Sequence, residues 1–371
     1  MATAIPNKKN SKKLENLSLL DEPREVQSGP DSNIFYFGDN LNVCKFLLEK
    51  KKFKEKFKSI YLDPPFLKKG HFETKDNVFA FRDDMDEQTY IKTLRDLLLV
   101  LKELLNKNGS IFLHLDQEIM FEGKILMDKI FGKKNFKNLI IREKCNSKNT
   151  STKKLGNVVD YILFYCKDQK YFEWNKPFQK ITDEYLKKEY PFIDKKKGRY
   201  KKVPIHAPGI RNGETGKKWR GHFPPKGKHW MYTPSKLDEF DQKGEIYWSK
   251  NNNPRRIVYA SKSKGVAISD IWLNFKDSIN QNTYFTNYPT EKNLDLIKEI
   301  IKLSSNKGDF ILDPFSGSGT TSVASQELER NCISIDDSKV SLKTIKDRYK
   351  KICSSNLFST NKKIKILTFF K

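Results

Sequence analysis

The chain has little cysteine and no long apolar run. Its five cysteines, in 371 residues, contain no C-x-x-C pair and are odd in number. Reduced intracellular thiols are therefore favoured over disulfides or a zinc site. No apolar run approaches the roughly 18 residues of a membrane helix, and the N-terminus lacks the apolar segment of a secretory signal. We expect a cytoplasmic protein without a membrane span.

Acidic residues are few compared with basic ones. Asp and Glu total 46 against 71 Lys and Arg, which gives a net charge of +25 and a pI near 9.6. Such a charge indicates a polyanionic partner, and nucleic acid is the first candidate. A lysine-rich composition bias would produce the same charge, so the chemistry must come from motifs.

One stretch, Ile60-Tyr-Leu-Asp-Pro-Pro-Phe66, joins a predicted buried strand to a carboxylate, two prolines and an aromatic ring. In an open α/β sheet, groups at the carboxyl end of a strand face the ligand crevice. Asp63 and the Pro64 carbonyl can hold the two N–H bonds of an exocyclic amino group. Pro65 stiffens this lip, and Phe66 can stack on a base. An ordinary Asp-Pro turn is the alternative.

A second stretch carries glycine between a strand and a helix. The predicted strand Asp309-Phe-Ile-Leu312 leads into Asp313-Pro-Phe-Ser-Gly-Ser-Gly-Thr-Thr321, and a helix follows. No Lys precedes the Thr pair, which excludes a P-loop, and Ser322 stands where a G-x-G-x-x-G fingerprint needs glycine. The next strand ends in Asp336, near the distance at which a strand-end acid reaches ribose hydroxyls.

Strands and helices alternate elsewhere in the chain. A predicted strand, Ile34–Phe37, ends at Gly38-Asp39, where Asp39 can cap the next helix or face a ligand. Leucines at helical spacing over residues 87–106 precede the strand Ser110–Leu115. His114, near the end of that strand, receives no role. This alternation predicts a doubly wound α/β sheet.

The composition changes near residue 167. Residues 167–230 hold 18 Lys and Arg against seven Asp and Glu, with interleaved aromatics that can stack on bases. This pattern indicates a DNA-contacting insertion, and a solvated, loop-rich insertion is the alternative. The candidate contacts to phosphates or base edges are Arg211, Lys217, Lys218, Arg220, Arg255 and Arg256.

Four stretches in a fixed order resemble the bacterial DNA amino-methyltransferases of the β class, which use S-adenosylmethionine. They are Gly38-Asp39, Asp63-Pro-Pro-Phe66, Tyr288-Pro-Thr-Glu-Lys292, and Asp313–Thr321 followed by Asp336. The resemblance covers most of residues 34–350. It departs from the family where Glu291 replaces the commoner Gln and Asn293 the commoner Pro.

The resemblance implies a seven-stranded, Rossmann-like methyltransferase sheet with an inserted target-recognition region. The polar composition of residues 1–32 predicts a flexible basic arm. The further predicted segments are a catalytic half (33–166), the insertion (167–270), a cofactor half (271–355) and a C-terminal tail (356–371).

The resemblance also implies residue roles. Asp63, Pro64, Pro65 and Phe66 would be catalytic. The S-adenosylmethionine site would comprise Asp39, Thr290, Lys292, Asp313, Phe315, Gly317, Gly319, Thr320 and Asp336. Thr290 is also predicted to cap the following helix. Neither a metal nor a covalent intermediate is needed.

The implied activity is site-specific methylation of adenine N6 in double-stranded DNA by base flipping. In this family Asp-Pro-Pro accompanies adenine, and cytosine N4 is the alternative target. An RNA or protein-amide methyltransferase and a catalytically silent DNA-binding subunit are further alternatives. A cognate restriction endonuclease and a second copy of the chain are the possible protein partners.

Overall fold

The computed structural model divides the chain into two compact units. The first spans Met1–Pro177 and Ser269–Lys371, and the second spans Phe178–Ile268. We call them the large unit and the small unit. The structure describes residues 23–27, 32–51, 53–67, 70–73, 79–83, 85–147, 153, 155–179, 181–251, 253–277, 286, 288–354 and 363–369. Residues 1–22, most of the predicted basic arm, lie outside the described residues.

Strands and helices follow one another along the chain. The strands of the described residues are β1 (Arg24–Gln27), β2 (Asn33–Phe37), β3 (Phe57–Leu62), β4 (Gly70–Glu73), β5 (Phe79–Asp83), β6 (Leu105–Leu115), β7 (Phe136–Glu143), β8 (Val159–Cys166), β9 (Phe178–Gln179), β10 (Phe192–Asp194), β11 (Gly198–Pro204), β12 (His206–Pro208), β13 (Lys228–Trp230), β14 (Ile246–Trp248), β15 (Pro254–Tyr259), β16 (Val266–Ala267), β17 (Ile271–Trp272), β18 (Phe310–Asp313), β19 (Asn331–Asp336) and β20 (Lys365–Thr368). The helices are α1 (Asn40–Glu49), α2 (Glu87–Leu104), α3 (Met120–Phe131), α4 (Asp183–Glu189), α5 (Pro234–Gln242), α6 (Leu294–Ser304), α7 (Thr320–Glu327) and α8 (Lys339–Ser354).

The large unit is built on one ten-stranded sheet with the order β1-β20-β2-β19-β18-β3-β6-β8-β7-β17. From β20 to β6 every neighbouring pair is parallel. Strand β8 runs antiparallel between β6 and β7. The predicted doubly wound sheet is confirmed. The run from β2 to β7 contains the seven expected strands, and three more strands extend the two edges.

Two of the extra strands correct the predicted ends of the chain. Strand β1 falls within residues 1–32, and β20 falls within residues 356–371. They pair with each other, and β20 also pairs with β2. Ile364 and Ile366 are fully buried there. The prediction of a flexible arm and a tail is therefore wrong for these strands. Each has only four residues, which is too short for a clear alternating pattern.

Helices cover both faces of the sheet because successive strand residues point in opposite directions. On β3, Ile60 and Leu62 join the apolar cluster that contains the buried leucines of α1 and α2. The Ser59 hydroxyl, on the other face, accepts a hydrogen bond from Ser304 of α6 at 2.8 Å. Among the described residues, no helix combines the length and the apolar character needed to cross a membrane.

The small unit has its own sheet and its own core. Strands β10, β11, β15 and β14 form an antiparallel sheet, and β12 pairs with β13. The buried cluster of this unit consists of Ile205, Trp219, Trp230, Leu237, Phe240 and Ile246. Trp219 and Trp230 are therefore core residues, which corrects their interpretation as aromatics that stack on bases.

The small unit is shorter than the predicted insertion of residues 167–270. The backbone N–H of Asn175 donates to the Leu303 carbonyl at 3.2 Å, and its side-chain amide donates to the Ser305 carbonyl at 2.9 Å. Residues 167–177 consequently belong with the large unit. The change in composition near residue 167 therefore precedes the start of the small unit at Phe178 by eleven residues.

Candidate active site

Four parallel strands of the large unit end in, or just before, an acidic residue. Asp63 follows β3, Asp313 ends β18, Asp336 ends β19, and Asp39 lies two residues after β2. These strands are neighbours in the sheet, so their carboxyl ends lie along one edge. All four acids line a cavity of about 740 Å³. The topology thus gathers residues from both ends of the chain around one space.

The same cavity collects nearly every predicted catalytic and cofactor residue. Its wall includes Asp39, Asp63, Pro64, Pro65, Phe66, Thr290, Lys292, Asp313, Phe315, Gly317, Thr320 and Asp336. Gly319, also predicted to hold the cofactor, is absent from this wall. Its φ is 78°, and a Cβ added there would lie 2.9 Å from Cγ1 of Ile345 in α8. Gly319 therefore allows the turn to pack on α8.

The lip after β3 carries a paired carboxylate. Oδ2 of Asp63 lies 2.7 Å from Nζ of Lys292, and that ammonium lies 5.1 Å from the centroid of the Phe66 ring. Oδ1 of Asp63 is buried and has no hydrogen-bond partner among the described residues. Lys292, predicted as a cofactor residue, thus contacts the lip at Asp63, and one carboxylate oxygen keeps its capacity to accept.

The glycine turn is held by the two strand-end acids beside it. Asp313 accepts a hydrogen bond from the Phe315 N–H at 3.0 Å and another from the Thr321 hydroxyl. Asp336 accepts from the Gly317 N–H at 2.8 Å. Gly317 has φ 50°, a left-handed conformation that favours glycine. The turn is therefore fixed before any ligand arrives.

Burial raises the pKa of both acids. The pKa of Asp313 and that of Asp336 rise to about 7, although hydrogen bonds from Thr321, Gly317 and the nearby backbone oppose the rise. Neighbouring carboxylates add to the effect, Asp63 for Asp313 and Asp337 for Asp336. A positively charged ligand group would relieve this repulsion.

Two tyrosines on the cavity wall carry no sequence prediction. Tyr288 packs on the glycine turn, since a Cβ added to Gly317 would lie 3.1 Å from its ring carbon Cε1. Tyr61 lies two residues before Asp63, and residues at that spacing share one face of a strand. Tyr288 belongs to the stretch Tyr288–Lys292 and Tyr61 to the stretch Ile60–Phe66, so the sequence signal for each was its place within a recognised stretch.

The segment before α6 corrects one prediction. Thr290 does not cap the helix. It has φ 64°, and the helix begins at Leu294. The cap is Asn293, whose Oδ1 accepts from the N–H groups of Asp295 at 2.9 Å and Leu296 at 3.1 Å. The residue that departs from the family's commoner proline therefore supplies the cap.

Glu291, the other departure from the family pattern, forms a buried ion pair. Its Oε1 lies 3.1 Å from Nη1 of Arg348 in α8, and both side chains are almost fully buried. Nη1 of Arg348 also donates to the Ser318 carbonyl in the glycine turn at 3.0 Å. Oε2 of Glu291 accepts from the Thr286 N–H at 2.9 Å. The pair thus joins three segments around the cavity.

The predicted DNA contacts in the small unit fall into two groups. Arg220 is bound to Asp238 and Asp241, Lys217 pairs with Glu214, and Arg256 lies 4.0 Å from the centroid of the Phe240 ring. Arg211, Lys218 and Arg255 are exposed and form no ion pair with the described residues. The second group leaves its charge available to a ligand.

The parallel sheet, the glycine turn and the strand-end acids around one cavity define an α/β enzyme of the methyltransferase type. Comparison with known proteins gives the family. Residues 57–347 match the family model for DNA methylases of the N6/N4 type. The chain belongs to the N6/N4 DNA methylase family.

Three relatives illustrate the range of the family. The chain is 45% identical to the type II methyltransferase M.EcaI of Enterobacter cloacae, over 85% of this chain and 69% of that protein. It is 27% identical to the Mod subunit of the type III restriction-modification enzyme StyLTI of Salmonella typhimurium, over 79% of this chain and 49% of that protein. It is 26% identical to the type II methyltransferase M.KpnI of Klebsiella pneumoniae, over 86% and 80%.

The Glu291–Arg348 pair predicts that replacing Glu291 by glutamine, the commoner residue of the family, lowers stability. Glu291→Gln keeps the shape of the side chain but leaves the Arg348 guanidinium buried without its counter-charge. We expect the free energy of unfolding to fall by roughly 3 kcal/mol. Urea denaturation measures this change.

The matched control is Glu103→Gln, which removes an exposed partner of Lys54 at 3.5 Å. It should change the free energy of unfolding by less than about 1 kcal/mol. Equal losses in the two variants would contradict a special role for the buried pair.

Proposed function

We propose that this DNA methylase transfers a methyl group from S-adenosylmethionine to the N6 amino group of adenine in double-stranded DNA. One observation carries the proposal. The Asp63-Pro-Pro-Phe66 lip and the acid-flanked glycine turn open onto the same cavity. A base held at the lip would then face a cofactor held at the turn.

The residues of the turn fit this cofactor. Its ammonium and sulfonium groups are cationic, and the cavity wall offers Asp313 and Asp336, whose pKa values are raised by burial and, to a smaller extent, by neighbouring carboxylates. Asp313, Phe315, Gly317 and Thr320 would hold the methionine part. Asp336 would accept hydrogen bonds from the ribose.

Three further wall residues complete the proposed cofactor site. Asp39 would lie near the adenine ring, although its Oδ1 also accepts from the Asn42 N–H at 2.9 Å and so caps α1. Thr290 and Lys292 would close the side next to α6. When bound, the cofactor supplies an electrophilic methyl group.

The lip would prepare the attacking nitrogen. An exocyclic amino group is a poor nucleophile, because its lone pair is delocalised into the ring. Oδ1 of Asp63 and the Pro64 carbonyl would accept its two N–H bonds and turn the lone pair towards the methyl group. The Phe66 ring would stack on the base, a contact worth roughly 1–3 kcal/mol. Correct positioning then supplies much of the rate.

The target base has to leave the duplex, because its amino group is otherwise paired and stacked. Flipping costs a few kcal/mol, and contacts to the phosphates on either side can offset that cost. The exposed cations Arg211, Lys218 and Arg255 of the small unit are the proposed contacts.

One of the named relatives is the Mod subunit of a restriction-modification enzyme. A cognate restriction endonuclease is accordingly the protein partner that we propose. A homodimer stays a prediction from the family resemblance.

The deciding experiment incubates unmethylated DNA with the protein and isotope-labelled S-adenosylmethionine, and then identifies the labelled nucleosides by mass spectrometry. We expect labelled N6-methyladenine. Labelled N4-methylcytosine would keep the mechanism and overturn the base. If the cofactor is shown to bind and no nucleoside of the DNA carries the label, DNA is excluded as the substrate.

In the same assay, Asp63→Ala should lower kcat on the order of 100-fold or more, because the amino group loses the acceptor that orients it. Calorimetry should show that S-adenosylmethionine still binds. Asp96→Asn, at an exposed acid paired with Arg95, serves as the control for a general effect of acid removal. A wild-type rate in Asp63→Ala would eliminate the mechanism.

The raised pKa values predict a pH dependence. In the unfolded chain, Asp313 and Asp336 have the ordinary value of 3.8, against about 7 in the folded protein. Between these values the folded state holds more protons, so stability without cofactor decreases as pH rises through this window. The affinity for the cofactor should instead increase as pH rises, because the cationic and hydroxyl groups of S-adenosylmethionine prefer ionised carboxylates.

Affinity for S-adenosylmethionine should therefore weaken below about pH 7, by up to about tenfold per pH unit for each carboxyl that must ionise. Titration calorimetry at several pH values measures this slope. Asp336→Asn should flatten it. An affinity that is constant from about pH 8 to about pH 5.5 would contradict the assignment.

The small unit predicts a salt effect. Arg255→Ala should weaken DNA binding and reduce the slope of log K against log salt by about one, because one phosphate contact is lost. Fluorescence anisotropy over a salt series measures the slope. Lys307→Ala is the control, since Lys307 precedes β18, at the end of the sheet away from the cavity. Identical slopes for Arg255→Ala and wild type would exclude a phosphate contact.

A further inference from the structure

Behind the catalytic lip, a row of polar side chains crosses four neighbouring strands of the large unit. The row consists of Tyr61 on β3, His114 on β6, Asp160 on β8 and Arg142 on β7. His114 is fully buried, and neither the sequence motifs nor the proposed mechanism gives it a task. Its position beside Asp63 calls for one.

The charges beside His114 favour one tautomer of its ring. Nε2 of His114 lies 3.3 Å from Oδ2 of Asp160, although the two atoms do not meet the geometry of a hydrogen bond. The Asp160 carboxylate also lies 2.9 Å from the Lys144 ammonium and 3.4 Å from the Arg142 guanidinium. With two cations beside it, Asp160 stays ionised and can only accept. The nearby carboxylate therefore favours the tautomer that carries the proton on Nε2.

The other ring nitrogen is then an acceptor. Nδ1 of His114 lies 2.8 Å from the Tyr61 hydroxyl, which must donate to it. Burial lowers the pKa of His114, and Lys292 adds to that effect, while Asp160 and Asp63 oppose it. The neutral ring, with a free lone pair on Nδ1, agrees with the contacts.

This arrangement has a consequence for Asp63. Oδ1 of Asp63 lies only 3.9 Å from the same Nδ1 of His114, yet it receives no hydrogen bond from the described residues. Tyr61 and Asp63 are two residues apart at the end of β3, so their side chains leave the same face. Without His114, the Tyr61 hydroxyl would need another acceptor, and the free carboxylate oxygen lies 3.9 Å from the position of the lost Nδ1.

We infer that His114 is a positioning residue that captures the Tyr61 proton and so keeps Oδ1 of Asp63 open for the amino group of the target base. His114 acts through Tyr61 and does not touch the substrate. The inference rests on the proposed role of Asp63.

A double-mutant cycle tests it. In His114→Leu the Tyr61 hydroxyl loses its acceptor and turns to Asp63, so kcat for methyl transfer should fall on the order of 100-fold. KM for S-adenosylmethionine should stay within about threefold of wild type, because His114 lies away from the glycine turn. The double variant Tyr61→Phe/His114→Leu removes the competing donor and should regain at least about tenfold in kcat.

The deciding quantity is whether the Tyr61→Phe substitution raises or lowers kcat in the His114→Leu background. The single variant Tyr61→Phe completes the cycle. If these side chains only stabilised the fold, the second substitution would lower kcat further or leave it unchanged. The inference is overturned if His114→Leu keeps kcat within about threefold of wild type, or if the double variant is no faster than His114→Leu.

A second substitution covers the case in which His114→Leu does not fold. The amide of His114→Gln can donate to Asp160 and accept from Tyr61, so kcat should stay within about fivefold of wild type. A folded His114→Gln protein with a loss on the order of 100-fold would overturn the inference. Wild-type transfer to DNA in the same assay tests the proposed function separately from these variants.

Discussion

The parallel pairing of β18 with β3 is the constraint on which the site depends. Strand β3 carries the lip and comes before the small unit in sequence, whereas β18 carries the glycine turn and comes after it. Their register sets Leu312 beside Ile60, which places Asp313 and Asp63 at the same edge of the sheet. Strands β19 and β2 continue this edge with Asp336 and Asp39. Without the pairing, each acid would be an ordinary strand-end residue.

Gathering four carboxylates at one edge has an electrostatic cost. The structure compensates for it with backbone N–H groups at Asp313 and Asp336, an ammonium at Asp63 and a helix N-terminus at Asp39. The compensation is incomplete, because burial and, to a smaller extent, the neighbouring carboxylates still raise the pKa values of Asp313 and Asp336. A site with residual negative charge is prepared for a cationic ligand.

Much of this could be predicted from the sequence, because the signals are local. The lip is a strand followed by Asp-Pro-Pro, and the glycine turn is a strand followed by glycines. Each can therefore be recognised from about ten residues of sequence. The order of the motifs then indicated the family. Helix and strand positions also followed from apolar spacing, as in α2 and β6.

The missed features depend on contacts between distant residues. The sequence near Glu291 does not indicate that Arg348 pairs with it. The sequence near His114 does not indicate its contacts with Tyr61 and Asp160. Strand β20 is recognised as a strand only from its pairing with β2 in the structure. The small unit shows the same limit. Its basic composition was visible, but the burial of Trp219 and Trp230 required the fold, since an aromatic in a basic segment can serve either a core or a surface.

The position of the small unit between β3 and β18 also governs how the protein folds. The two central strands of the sheet can pair only after the chain between them has been synthesised, and closing so long a loop is slow compared with forming local structure. A nascent chain that already displays the lip still lacks the glycine turn and two of the four acids. During synthesis, then, the cavity lined by the four acids cannot form before the small unit has been synthesised.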